Sequence, residues 1–171
     1  SGGALDKAAS GYADVEAYTY INPRVGFSFP VSDKTKIHAQ YGKFTQHPIL
    51  NRLYLSDTRL ASNLTQGNMT VSPNPSLKPE QTTQYEVGLT QQIGGYAALG
   101  FTGFYKEVRD YTMMANIVGA KVNGALFSWA QYMNGDYGTT QGFTASLSMR
   151  RFTGVLAQVN YSYMTARGTG S

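Results

Sequence analysis

Gln84-Tyr85-Glu86-Val87-Gly88-Leu89-Thr90-Gln91-Gln92-Ile93-Gly94-Gly95 is the stretch that decides the fold. Tyr85, Val87, Leu89 and Ile93 fall on one parity, and Gln84, Glu86, Thr90 and Gln92 on the other. Successive side chains of a strand point to opposite faces, so this period of two describes a strand with one apolar and one polar face. Gly94-Gly95 then signals a two-residue hairpin, because glycine takes positive φ without a steric cost.

Working outward, the same alternation recurs on both sides. The following segment, 96–109, sets Leu99, Phe101, Gly103 and Tyr105 against Gly100, Thr102 and Lys106, with Phe104 breaking the pattern. Upstream, 21–31 places Val25, Phe27, Phe29 and Val31 opposite Arg24, Gly26 and Ser28. Ser32-Asp33-Lys34-Thr35 is turn chemistry, and 36–44 continues with Ile37, Ala39 and Tyr41 against His38, Gln40 and Gly42. Downstream, 132–151 alternates Phe143, Ala145, Leu147 and Met149 with Thr144, Ser146, Ser148 and Arg150. After a turn at Phe152-Thr153-Gly154, segment 155–167 opposes Val155, Ala157, Val159, Tyr161 and Tyr163 to Gln158, Asn160 and Ser162. The reading is all-β: an antiparallel up-and-down meander of about six strands, at about 21–31, 36–44, 80–93, 96–109, 132–151 and 155–167.

The connections carry the next inference. Three are tight, and they alternate with two long ones, about 45–79 and 110–131. The first long connection holds Pro48, Pro73, Pro75 and Pro79, and proline cannot donate to a strand ladder. Both greatly exceed the usual few-residue link. In a meander, alternate connections emerge at the same end, so the short turns share one side and the long loops the other. Outer-membrane barrels have that asymmetry, and a sheet in hydrocarbon must close to pair every backbone group. Phe29, Tyr96 and Phe152 lie beside short turns, while Tyr41, Tyr85, Tyr105 and Tyr161 lie nearer the long loops, as aromatic girdles do.

Composition agrees. In 171 residues only 14% are charged, against about a quarter in a typical globular domain, while Gly (19) and Tyr (13) are abundant. Cysteine is absent, which excludes a disulfide scaffold and cysteine-based zinc sites. The net charge of +4 is scattered rather than gathered in a basic stripe, which argues against nucleic acid as a partner. No apolar run reaches the ~18–20 residues of a spanning helix. The first and last residues read as loop, suggesting a piece cut from a longer chain.

With these elements placed, specific residues carry a resemblance. Asn74-Pro75-Ser76-Leu77-Lys78-Pro79-Glu80, followed by Tyr85-Glu86-Val87-Gly88, resembles a segment of TonB-dependent receptor barrels. Phe104-Tyr105-Lys106-Glu107-Val108-Arg109-Asp110 is similar to the strand end that follows it there. Asn22-Pro23-Arg24-Val25-Gly26 with Tyr41-Gly42-Lys43-Phe44, and Asn134-Gly135-Asp136-Tyr137-Gly138 with Asn160-Tyr161-Ser162-Tyr163, resemble the flanking strand pairs. The resemblance implies part of a barrel of roughly 22 strands around a plugged lumen. It also implies residence in the bacterial outer membrane, among lipid and lipopolysaccharide, and uptake of a scarce nutrient of siderophore, cobalamin or glycan class. Uptake of that kind is driven by the TonB system acting through a plug domain, which this sequence does not contain. A passive porin or adhesin-like barrel, and a soluble carbohydrate-binding module, are the alternatives.

Binding is expected on the outer loops, which a rigid barrel presents. Arg52, Tyr54 and Arg59 in the first loop, with Trp129 and Tyr132 near the second, supply charge and flat apolar faces for a small-molecule or glycan ligand. No catalytic site, cofactor or metal site is expected. His38 and His47 lack companion ligands, Asp136 sits in turn or bulge chemistry, and no Gly-x-Ser-x-Gly elbow frames a serine.

Overall fold

The computed structural model describes residues 17–55, 71–122, 125–152 and 154–169, with the side chains of 117–122, 125–129 and 151–152 outside that description. Its elements are β1 (Arg24–Ser32), β2 (Thr35–Gln46), the single-turn helix α1 (Leu50–Leu53), β3 (Val71–Ser72), β4 (Glu80–Ile93), β5 (Ala97–Val122), β6 (Ala125–Phe152) and β7 (Val155–Gly168). The long strands run β1-β2-β4-β5-β6-β7, each antiparallel to the next. The two-residue β3 pairs parallel with β6.

Strand register turns the alternation read along each segment into a surface. Phe29, Ile37, Leu89, Phe101, Ala145 and Tyr161 align on one rung across the sheet. Phe27, Ala39, Val87, Gly103, Phe143 and Tyr163 form the next apolar rung. Between them lies Ser28, His38, Gly88, Thr102, Thr144 and Ser162, facing the other way. A slip of one residue in any pair would exchange the faces, so the shared parity fixes the register.

Among the described residues nothing covers the apolar face. Phe27 (62%), Val87 (61%) and Val159 (60%) remain exposed, and among the described residues the buried hydrophobic side chains are Leu77 and Val108. Soluble monomers rarely leave so continuous an apolar surface open. Its height suits a membrane: Tyr85 to Ile93, at about 3.3 Å per residue and a tilt of about 40°, covers about 20 Å of the normal, close to the ~25 Å band of outer-membrane barrels. Toward the long connections it ends in a tyrosine row, with ring centroids 5.2 Å apart for Tyr41–Tyr85 and 6.3 Å for Tyr85–Tyr105. Tyr161 is not in that row; it shares the rung of Phe29 and Phe101, and its ring lies 6.1 Å from Phe143.

The polar face is built close. His38 lies over Gly88, where an added Cβ would strike both its ring and Thr102 Oγ1. Gly142 is tighter, because its Cβ would meet the Tyr163 carbonyl and the Met164 Cα, which are backbone. Arg24 lies 4.5 Å from the Phe44 ring centroid, above Gly42.

Two further sequence expectations need correction. Residues 110–131 are not an irregular loop: β5 and β6 continue through them as one long hairpin, with 123–124 outside the described residues. The sequence that enters this hairpin, Tyr111-Thr112-Met113-Met114-Ala115-Asn116, carries no two-residue hydropathy period. Offset bulges also break the pattern. Pairing jumps from Val108↔Gly138 to Tyr111↔Asp136, then to Thr112↔Asn134, so an extra residue on β5 is followed by one on β6. Asp110 takes φ 59° in the first bulge, a conformation that aspartate tolerates better than most residues. The second correction is at Gly94-Gly95. Ile93 pairs with Ala97, so Tyr96 joins the turn, and Gly94 alone of the two glycines has positive φ (61°).

Candidate functional site: the outer surface of the arc

The site grows from how the first long connection is seated. Proline before Ser76 and Glu80 keeps 73–79 out of any ladder, so its backbone groups must find other partners. Asn74 supplies several. Its Oδ1 accepts from Ser76 N (3.0 Å), and its carbonyl accepts from Leu77 N (3.2 Å), making a side-chain-closed turn. Leu77 is then buried to 3% exposure. Farther on, Asn134 Oδ1 accepts from Lys78 N (2.8 Å), and its Nδ2 donates to Lys78 O and Asp110 O (both 2.9 Å). Glu80 Oε1 accepts from Thr112 N (3.3 Å). Val71 and Ser72 complete the seat by pairing with Ala130 and Gln131. The last part of the connection, residues 71–80, is therefore stitched across the β5–β6 hairpin by polar side chains that read backbone.

This seating brings two expected binding residues together. Arg52 on α1 places its guanidinium carbon 5.5 Å from the ring centroid of Tyr132 on β6, both side chains half-buried. Asn74 ties their backbones: its N–H donates to Arg52 O (2.8 Å), and its Nδ2 donates to Tyr132 O (2.9 Å). Among the described residues no carboxylate pairs with Arg52, whose guanidinium carries five donors.

The other candidates do not join them. Tyr54 follows α1, 56% exposed, with its N–H on Leu50 O. The Trp129 backbone pairs with Ile117, and its side chain lies outside the description. Arg59 lies outside the described residues altogether. Sequence reasoning missed the amide side chains of Asn74 and Asn134. Asn-Pro and Asn-Gly announce turns and bulges, but nothing in sequence says which distant carbonyl an amide will reach. Asp136 is satisfied locally by Thr169 Oγ1 (2.9 Å), and among the described residues no three His, Cys, Asp or Glu side chains gather as metal ligands.

An unroofed apolar band, a tyrosine row at its upper edge, short turns on one side and a hairpin with a stitched connection on the other together define an arc of a large membrane β-barrel. The profile of the family described as "TonB dependent receptor-like, beta-barrel" matches residues 2–171, and the chain belongs to that family. Such barrels are outer-membrane proteins of Gram-negative bacteria and receptors rather than enzymes.

Solved structures give the same fold. The outer membrane transporter YddB from Escherichia coli is similar over 87% of this chain and 20% of its own, with TM-score 0.68 and 16% identity. The siderophore receptor PirA from Pseudomonas aeruginosa is similar over 85% and 25%, with TM-score 0.61 and 17% identity. The FrpB iron transporter from Neisseria meningitidis (F3-3 variant) is similar over 86% and 20%, with TM-score 0.59 and 19% identity. The chain thus spans 20–25% of the length of these structures. No match among curated proteins reaches significance.

Proposed function

We propose that this arc belongs to an outer-membrane transporter that imports a small anionic nutrient complex, of the ferric-chelate class, by coupling to the TonB system through a plug domain. The observation that carries the ligand class is the Arg52–Tyr132 couple. A guanidinium over an aromatic ring, with no acidic partner among the described residues, suits a carboxylate, hydroxamate or phenolate oxygen on a ring-bearing ligand. A neutral glycan would use the open face of a tyrosine, and here Arg52 covers one face of Tyr132. Structural neighbours named as an iron transporter and siderophore receptors support the same direction.

Passive permeation is the competing reading, and energy coupling separates the two. Cells carrying the complete receptor should accumulate radiolabelled ferric chelate when TonB is present and lose that uptake when TonB is deleted. Uptake indifferent to TonB would favour a passive pore. In the coupled case, Arg52→Gln should raise the concentration for half-maximal uptake by roughly tenfold, as loss of one charge-assisted contact implies.

A further inference from the structure

We infer that Asn74 is a positioning residue that assembles the Arg52–Tyr132 couple before any ligand arrives; the functional meaning of this rests on that couple being part of the ligand surface. Arg52 cannot hold its own place. The helix α1 that carries it has four residues, no side-chain cap and no buried residue, and so short a helix is not stable by itself. Tyr132, by contrast, is fixed in β6 opposite Met114. A cation resting on a ring in water contributes little by itself, too little to order a loop. Among the described residues the link between the two elements runs through Asn74, whose main-chain N–H holds Arg52 O and whose Nδ2 holds Tyr132 O.

Asn74 can do this because its remaining polar atoms are also engaged. Its Oδ1 and carbonyl close the turn onto Ser76 and Leu77, and the turn is anchored by buried Leu77 and by the Asn134 grip on Lys78. The amide is thus clamped by its oxygen and reaches Tyr132 with its nitrogen. That division of labour makes one substitution diagnostic. Asn74→Asp keeps the N–H, the carbonyl and the Oδ1 acceptor, and with them the turn. It replaces the donor aimed at Tyr132 O with a second carboxylate oxygen, which repels that carbonyl.

The test uses the complete receptor in detergent and phenylglyoxal, a reagent selective for arginine, with Arg52 modification followed by peptide mass mapping. Amide hydrogen exchange at Ser76 and Leu77 is read on the same samples. Losing one hydrogen bond predicts that Arg52 in Asn74→Asp is modified roughly fivefold faster than in the wild type, with exchange at Ser76 and Leu77 unchanged. Tyr132→Leu removes the ring and leaves the tie, so it should speed Arg52 modification while leaving the loop amides protected. Equal Arg52 reactivity in wild type and Asn74→Asp would overturn the inference. So would faster reactivity accompanied by opened Ser76 and Leu77 amides, because Asn74 would then be only a turn residue. Neither readout requires transport, so failure here and failure of the uptake assignment are separable.

Discussion

Asn134 grips the backbone of Lys78 from both sides: its Oδ1 accepts from Lys78 N at 2.8 Å and its Nδ2 donates to Lys78 O at 2.9 Å. A side-chain amide here imitates a strand neighbour, giving a proline-flanked segment the ladder it cannot make by itself. The same Nδ2 reaches Asp110 O, so one residue joins the seated connection to the bulge in β5. Asn134→Ala should lower the local opening free energy at Lys78 by about 2 kcal/mol, or ~30-fold in exchange rate, for the lost hydrogen bonds. Amide exchange resolved at Lys78 checks it, with Asn134→Asp, which retains the acceptor, falling between.

Glycines of the sheet and its turns should differ according to what their missing side chain would meet. Gly142→Ala drives a methyl into the Tyr163 carbonyl and Met164 Cα, so β6 and β7 must separate, at about 1–3 kcal/mol. Gly88→Ala meets the His38 ring and the Thr102 hydroxyl, which can swing aside, and should cost less. Gly95→Ala meets nothing within 4 Å and should be neutral. Urea unfolding of the receptor in liposomes orders the three.

Charge on the apolar face should be penalised by depth. Leu89 stands midway between the tyrosine row and the short turn, so Leu89→Arg should cost about 2–4 kcal/mol. Glu86→Arg, on the opposite parity of β4, should cost well under 1 kcal/mol. The same unfolding assay reads both.

Asp110 occupies left-handed backbone, φ 59°, in the β5 bulge. A β-branched residue pays a larger steric cost there, so Asp110→Val should destabilise the outer hairpin by about 1–2 kcal/mol. Asp110→Gly should be neutral or stabilising. Limited proteolysis of the hairpin above the bulge distinguishes them.

How much was legible follows from where water lies. Between the tyrosine row and the short turns lipid must meet one face and the lumen the other, so hydropathy alternates and the strands, faces and short turns can be read from residues alone. Above the tyrosine row that demand disappears. Residues 110–131 look like loop in sequence because the bulges at Asp110 and Gly135 shift parity. The site was half legible for a related reason. Arg52 and Tyr132 have the composition of a binding surface, but their meeting depends on Asn74 and Asn134 reaching backbone across the hairpin. Such contacts leave no period and no motif beyond a turn.

The central claim is that the face carrying Tyr85, Val87 and Leu89 meets lipid while Gln84, Glu86 and Thr90 face the lumen. This chain has no cysteine, so single cysteines introduced from Gln84 to Thr90 can be spin-labelled in the receptor, with any cysteine elsewhere in it replaced, after reconstitution in liposomes. Collision rates with dissolved oxygen, which partitions into hydrocarbon, should rise and fall with a period of two and peak at 85, 87 and 89. A flat profile, or peaks at 84, 86 and 90, would contradict the account.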